Sequence, residues 1–134
     1  MDISLIKPYD KNAKKHPKKQ VEQVANSIKE FGFNQPVVVD KNGVLIIGHG
    51  RLEAAKLLGL KEVPTITVDL TEEQANAYRL ADNKLNESEW DIKLVIEELK
   101  LLSEPMLDLT GFDKDLIIEA DEKDDEVPET PEEP

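Results

Sequence analysis

Apolar positions along the chain change period several times, and each change marks an element. Ile3 to Ile6 alternates and predicts a short strand closed by Pro8. Val21, Val24, Ala25, Ile28 and Phe31 fall at helical spacing, Pro17 sits where that helix can begin, and Gly32 ends it as a C′ residue. Phe33-Asn34-Gln35-Pro36 leads into a strand at Val37-Val38-Val39, and Asp40-Lys41-Asn42-Gly43 carries an Asn-Gly hairpin signal that makes Val44 to Ile47 the antiparallel partner. Helical spacing resumes at Leu52, Ala55 and Leu58, with Ala54 and Leu57 beside them, and stops at Gly59. Val63 to Val68 predicts another strand, placed early or at an edge by Pro64.

The second half reads mainly as helix. Thr71-Glu72-Glu73-Gln74 is a capping box opening a helix that carries Ala75, Ala77, Tyr78, Leu80 and Ala81 and runs into the polar cluster Asp82-Asn83-Lys84-Leu85-Asn86. Asp91 is placed to cap a last long helix striped by Ile92, Val95, Ile96, Leu99 and Leu102. Leu109 to Ala120 predicts a short terminal helix capped by Asp113, with the Phe112 ring expected to dock on the body. From Asp121 to Pro134 charge and proline exclude a packed element, which predicts a disordered acidic tail or linker.

The densest chemistry lies between the hairpin and the second helix. Gly48 and Gly50 bracket the switch from strand to helix, where a residue without Cβ permits a tight turn and a close approach of N–H groups to a ligand. Those N–H groups, the helix dipole and Arg51 would favour one bound anion, phosphate first. The same residues also suit a plain corner in which Arg51 is a solvated helix residue. Asp82 and Asn83 could simply end their helix or could aim at the ligand of the glycine turn.

Composition narrows the classes. The chain has no cysteine, which removes disulfides, thiol catalysis and cysteine-based zinc or iron–sulfur sites. His16 and His49 are too few for a dedicated histidine metal site, so no metal ligands are assigned and imidazole donors are expected. No apolar run approaches a membrane span and the start lacks the apolar core of a signal peptide, so a cytoplasmic location is expected. The net charge of −12 is unevenly spread. Glu119 to Pro134 holds nine acidic residues and one lysine, whereas residues 1–61 hold eleven Lys/Arg against six Asp/Glu. Lys11, Lys14, Lys15, Lys18 and Lys19 crowd the connector after Tyr9, which reads either as a solvated loop or as a segment contacting nucleic-acid phosphates.

The order helix, GFNQP, strand, NG hairpin, strand, GHGR helix, strand, TEEQ helix, ADNKLNE resembles the N-terminal domain of the ParB/sulfiredoxin superfamily over residues 3 to about 90. With YDKNAKKHPKKQVEQVANSIKEFGFNQPVVVD, IIGHGRLEAAKLLGLKEVP, LTEEQANAYRLADNKLNESEWD and LTGFD, it is similar to the ParB-like (ParB-like nuclease) domain of phage and mobile-element proteins, often fused ahead of a DNA methyltransferase.

The resemblance implies an α+β fold, a small mixed sheet packed with helices, in which residues 1–90 form the domain, 91–120 a helical extension and 121–134 the tail. It implies a nucleoside triphosphate, CTP or ATP, with Mg²⁺ at the glycine turn. Gly48, His49, Gly50 and Arg51 match the partitioning proteins' GERR box, with His49 and Gly50 in place of Glu and Arg. Gly32, Gln35 and Pro36 match the box before the second strand, and Asp82 and Asn83 match the Glu-Asn pair of the ENxxR box, with Asn86 where that box has Arg. Sulfiredoxin's catalytic cysteine falls at His49, which excludes that chemistry. The expected function is a nucleotide-binding, DNA-associated module acting with a DNA-modification or partitioning partner, and a homodimer is compatible with it. NTPase, small-molecule kinase or nuclease activity is the alternative, although no activated nucleophile, methyltransferase motif or helix-turn-helix is readable.

Overall fold

A computed structural model of the chain describes residues 1–10 and 16–118, and its contacts divide it into two units, Met1–Ser88 and Glu89–Pro134. The first unit is α+β. It comprises α1 (Lys18–Phe31), β1 (Val37–Asp40), β2 (Leu45–Ile47), α2 (His49–Leu58), β3 (Thr65–Val68) and α3 (Glu72–Leu85). The strands lie in the order β2-β1-β3, with β1 antiparallel to β2 through the Asn-Gly turn and parallel to β3 across α2. Pro64 trims β3 at its start, leaving Val63 as a core residue ahead of an edge strand.

Central position explains why β1 is apolar without alternation. Val37 and Val39 face a core with Ile6, Leu45, Leu52, Ala55 and Val63, and Val38 faces a second cluster with Ile46 and Ala75. In β2, Leu45 pairs with Val39 and Ile47 with Val38, so Ile46 is the extra residue of a bulge. The bulge re-aims the strand just before Gly48. α1 packs on α2 with Ala25 buried, while Phe31, at the end of the apolar stripe, is 56% exposed.

The structure corrects several expectations. Ile3–Leu5 is a turn of 3₁₀ helix, not a strand, because Asp2 Oδ1 accepts from the Ser4 N–H and Leu5 and Ile6 bond three residues back. Its backbone pairs through isolated bridges, Asp2 to Glu62 and Lys7 to Val44, and not as a strand of the sheet. In α3 the capping box is present in both directions, but the buried side chains are Ala75 and Arg79, whereas Tyr78 and Leu80 are exposed.

In the second unit α4 (Ile92–Leu99) is capped by Asp91 but has only eight residues. Tight bonds from Leu101 and Leu102 back to Glu98 and Leu99 close it, leaving Leu102 outside the helix. It is also not the last helix. Pro105 opens an unexpected α5 (Glu104–Thr110), and left-handed Gly111 ends it, so Leu109 belongs there. Asp113 then caps a helical turn through the Asp115 N–H, and Phe112 packs edge-to-face on Trp90, 5.0 Å between centroids, within the same unit. The acidic stretch 121–134 lies outside the described residues.

Gly48 and Gly59 test the corner. Both have positive φ, 107° and 75°, but a Cβ on Gly48 would stand 2.6 Å from Val37 Cγ1, whereas one on Gly59 would meet nothing within 4 Å. Gly59→Ala is expected to cost about 1–2 kcal/mol from the left-handed backbone alone. Gly48→Ala should cost about 2–4 kcal/mol because overpacking against β1 adds to it. Urea unfolding midpoints of the two variants check the difference.

Candidate functional site

Two helix starts in the first unit lack what the others have. α3 begins with a capping box followed by Glu72 and Glu73, and α4 in the second unit with the Asp91 carboxylate. α1 and α2 begin at Pro17 and at left-handed Gly48, with no side-chain cap and no acid in the first turn. Their starts line one cavity of about 210 Å³, with His16 just ahead of α1, Gln20 in its first turn, the Gly48–Arg51 turn that opens α2, and Arg79, Asp82 and Asn83 of α3 closing it. Uncapped N–H groups carry the positive end of the helix dipole. Asp82 is the single carboxylate in a lining that holds two arginines and both histidines.

The basic side chains are held in different ways. Arg51 Nε donates to the Gln35 carbonyl (3.1 Å) and Nη2 to that of Pro36 (3.0 Å), so this guanidinium clamps the loop entering β1 while facing the cavity. Burial pulls its pKa down from the usual value, and the nearby Asp82 opposes the shift. His16 Nδ1 bonds Gln20 Oε1 at 3.0 Å, and its ring lies 3.2 Å from where a Gly50 Cβ would stand. Gly50 therefore admits His16 to the start of α2. His49 is half-buried with an unpartnered Nε2, and burial, then the charges of Arg79 and His16, push its pKa down to about 4.

Arg79 is the buried charged residue of the described chain, 6% exposed. Nη1 donates to Asn76 Oδ1 (3.0 Å) and Nη2 to the Leu45 carbonyl (3.1 Å), and its guanidinium carbon stands 3.6 Å from the Tyr9 ring centroid. Its Nε has no partner. Among the described residues no carboxylate forms an ion pair with it. Asp40 acts on it only from beyond contact distance; a buried cation whose direct partners are neutral is costly, and a bound anion would supply a contacting countercharge.

Of the residues singled out in the sequence, Gly48, His49, Gly50, Arg51, Asp82 and Asn83 line this one cavity. Pro36 contributes its carbonyl to Arg51, and so does Gln35, which also lines an adjoining groove of about 380 Å³ with Phe31 and Phe33. Asn86 donates to the Asp82 carbonyl and carboxylate (2.6 and 3.1 Å). Lys18 and Lys19 open α1 in solvent, and Lys11, Lys14 and Lys15 lie outside the described residues. No cluster of three or more metal-ligating side chains occurs among the described residues, and no helix among them is long and apolar enough to cross a membrane. Sequence reasoning missed Arg79. Its spacing could have found it, since it lies one turn before Asp82 and one after Ala75, on the inward face of α3.

Residues 1–84 match the family model described as ParB N-terminal domain. The chain is 46% identical over 73 residues to the ParB-like nuclease domain-containing protein YnaK of Escherichia coli, covering 54% of this chain and 84% of that protein. It is 36% identical over 87 residues to a probable chromosome-partitioning protein ParB of Campylobacter jejuni, covering 62% of this chain but 31% of that protein. The chain thus spans most of one relative and about a third of the other. Among solved structures, the C-terminally truncated chromosome-partitioning protein ParB of Caulobacter crescentus, complexed with CTP-gamma-S, superposes with a TM-score of 0.73 at 19% identity, over 87% of this chain and 72% of that one.

The depressed pKa of His49 makes stability pH-dependent. Between its ordinary value of 6.5 and about 4, the unfolded chain binds a proton that the folded chain refuses, so stability falls as pH falls through that window. Allowing for the solvent contact His49 keeps, the expected loss from pH 7 to pH 5 is about 1–2 kcal/mol. Urea midpoints at the two pH values should show it for the wild type and a correspondingly smaller loss for His49→Gln.

Proposed function

The chain belongs to the ParB N-terminal domain family, and from that premise we propose that it is a nucleotide-binding, DNA-associated module whose triphosphate sits at the Gly48–Arg51 turn. The observation that carries this reading is Arg79, a buried guanidinium with no carboxylate in ion-pair contact among the described residues, at a cavity onto which two uncapped helix starts open. Phosphate oxygens suit those donors, because charge-assisted hydrogen bonds to N–H groups and guanidinium are the strong ones.

A cavity of about 210 Å³ is smaller than the usual small-molecule site of roughly 300–1,000 Å³. It fits the phosphate end of a nucleotide, and the adjoining groove, which shares Val24 and Arg51 with it, offers apolar surface from Ile28, Phe31 and Phe33 for the base. Asp82 is the group that would share Mg²⁺ with the phosphates, since Mg²⁺ is commonly held by one or two carboxylates plus phosphate oxygens. CTP is the first candidate, as the ligand analogue in the Caulobacter structure is CTP-gamma-S, and ATP the second.

The DNA-associated part rests on the chromosome-partitioning relative and on the basic run that ends at Lys18 and Lys19. The partner would be a partitioning or DNA-modifying protein, a methyltransferase being one such enzyme, or a second copy of the chain.

Titration calorimetry with Mg–CTP, Mg–ATP and inorganic triphosphate tests the site. Arg51→Ala is expected to weaken binding by about 10- to 100-fold. Melting without ligand separates loss of its clamp on Gln35 and Pro36 from loss of the ligand contact. Absence of binding by the wild type to all three probes would overturn the reading. In gel shifts, duplex DNA binding should be sequence-indifferent and weaken steeply with salt, since each neutralised phosphate releases counterions. Deleting residues 121–134 should tighten it at low salt, with the gain fading as salt screens the removed charge. No shift at either salt, with or without nucleotide, would limit the chain to acting through a partner.

A further inference from the structure

Arg79 borders a second cavity. On its far side a space of about 700 Å³ is bounded by Lys7–Asp10, the Asp40–Asn42 turn and the start of α3, and Tyr9 lines it. Arg79 thus lines both this space and the glycine-turn cavity. The groups it contacts directly are neutral, the Tyr9 ring, the Asn76 amide and the Leu45 carbonyl, and Asp40 acts on it from beyond contact distance. Its third nitrogen, Nε, is covered and unpartnered. Nε can meet an anion only if the group turns, and a cation–π contact depends on the cation staying over the ring face.

We propose that Arg79 is a positioning residue shared by the two cavities, so that an anion at the Gly48–Arg51 turn and the Tyr9 ring compete for one guanidinium. This rests on reading the turn as a phosphate site. A guanidinium–phosphate contact pairs two full charges, which neither a ring face nor a neutral oxygen offers, so a bound triphosphate draws Arg79 and releases Tyr9. The release is local. Lys7 is pinned through its N–H to the Gly43 carbonyl and through its carbonyl to the Leu45 N–H, both at 2.8 Å, so the chain is free to respond only beyond it. Occupancy of the cavity is therefore reported at Tyr9, two residues before Lys11 in the sequence. Linkage requires the reverse as well: freeing Arg79 from Tyr9 strengthens anion binding.

The chain has two tyrosines, Tyr9 and Tyr78, so in Tyr78→Phe protein the remaining tyrosine ring resonances belong to Tyr9. Adding inorganic triphosphate, then Mg–CTP or Mg–ATP, should shift them in step with binding. By calorimetry Tyr9→Leu should bind about 3- to 10-fold more tightly than wild type, and Tyr9→Phe, which keeps the ring, should stay within about twofold. In an Arg79→Lys background the Tyr9→Leu gain should vanish, which a merely structural role for Tyr9 would not produce. Binding that leaves the Tyr9 signals unmoved, or equal affinity of Tyr9→Leu and wild type, overturns the competition while the phosphate site stands. No binding of any probe overturns both. The resonance experiment leaves Arg79 unsubstituted, so it decides the matter even if Arg79→Lys does not fold.

Discussion

The approach of Gly48 to Val37 is the constraint from which the site follows. β1 is the central strand and buries Val37–Val39 on both faces, so Val37 cannot yield, and only a left-handed residue without a side chain can carry β2 into α2 so closely past it. That sets the start of α2 at the end of the sheet. From there Arg51 reaches back to the carbonyls of Gln35 and Pro36, fixing the loop that feeds β1, so strand and helix position each other. α1, packed on α2, brings His16 over Gly50. The cavity is what remains between elements whose places are already taken.

Such packing concentrates positive potential with little to offset it. Two helix starts, two guanidinium groups and two imidazoles share the lining with the single carboxylate of Asp82. The protein responds differently at each group. His49 can shed its charge, and its depressed pKa shows that it does so at neutral pH. Arginine cannot, and so Arg79 takes a ring face and two neutral oxygens instead. Arg51, bonded to two carbonyls, is pre-positioned at the cavity's edge. One guanidinium is therefore tied to the backbone of the loop before β1, while the other owes its place in part to an aromatic stack that a stronger partner can replace.

What was legible in the sequence was local. The Asn-Gly hairpin, the glycine corner, the capping box and the α1 stripe depend on neighbours within four residues, and each occurs where its signal lies. Ile3–Ile6 misled because its alternation is a side effect of a turn organised by the Asp2 carboxylate, a polar cause invisible to apolar periodicity. α5 escapes the apolar pattern although Pro105 marks its start, because Leu109 reads with the apolar residues that follow Gly111. Gln35 and Pro36 are implied by the family resemblance, yet both act on Arg51 through carbonyls that any residue would offer. Arg79 was hidden for the opposite reason. In α3 the apolar residues Tyr78 and Leu80 point outward and the inward face carries a charge, so a reading that seeks the core by hydrophobicity selects the wrong side of that helix.

The acidity of the chain sets the far field and the cavity the near one. A net charge of −12 repels nucleotides and DNA at long range, but at ordinary salt that repulsion decays over about 10 Å. Inside a partly enclosed cavity the solvent screens less, and the oriented N–H groups and guanidinium charges act at hydrogen-bond distance. The two fields therefore govern different quantities. Salt should raise the rate at which an anion arrives by weakening the repulsion, while its residence, set by buried donors that salt screens poorly, should change less. A polyanion lying on the exposed lysines would show the contrary, because its residence depends on surface charges that salt screens directly. Nucleotide and DNA, if both bind, are thus distinguishable by how salt divides its effect between arrival and departure.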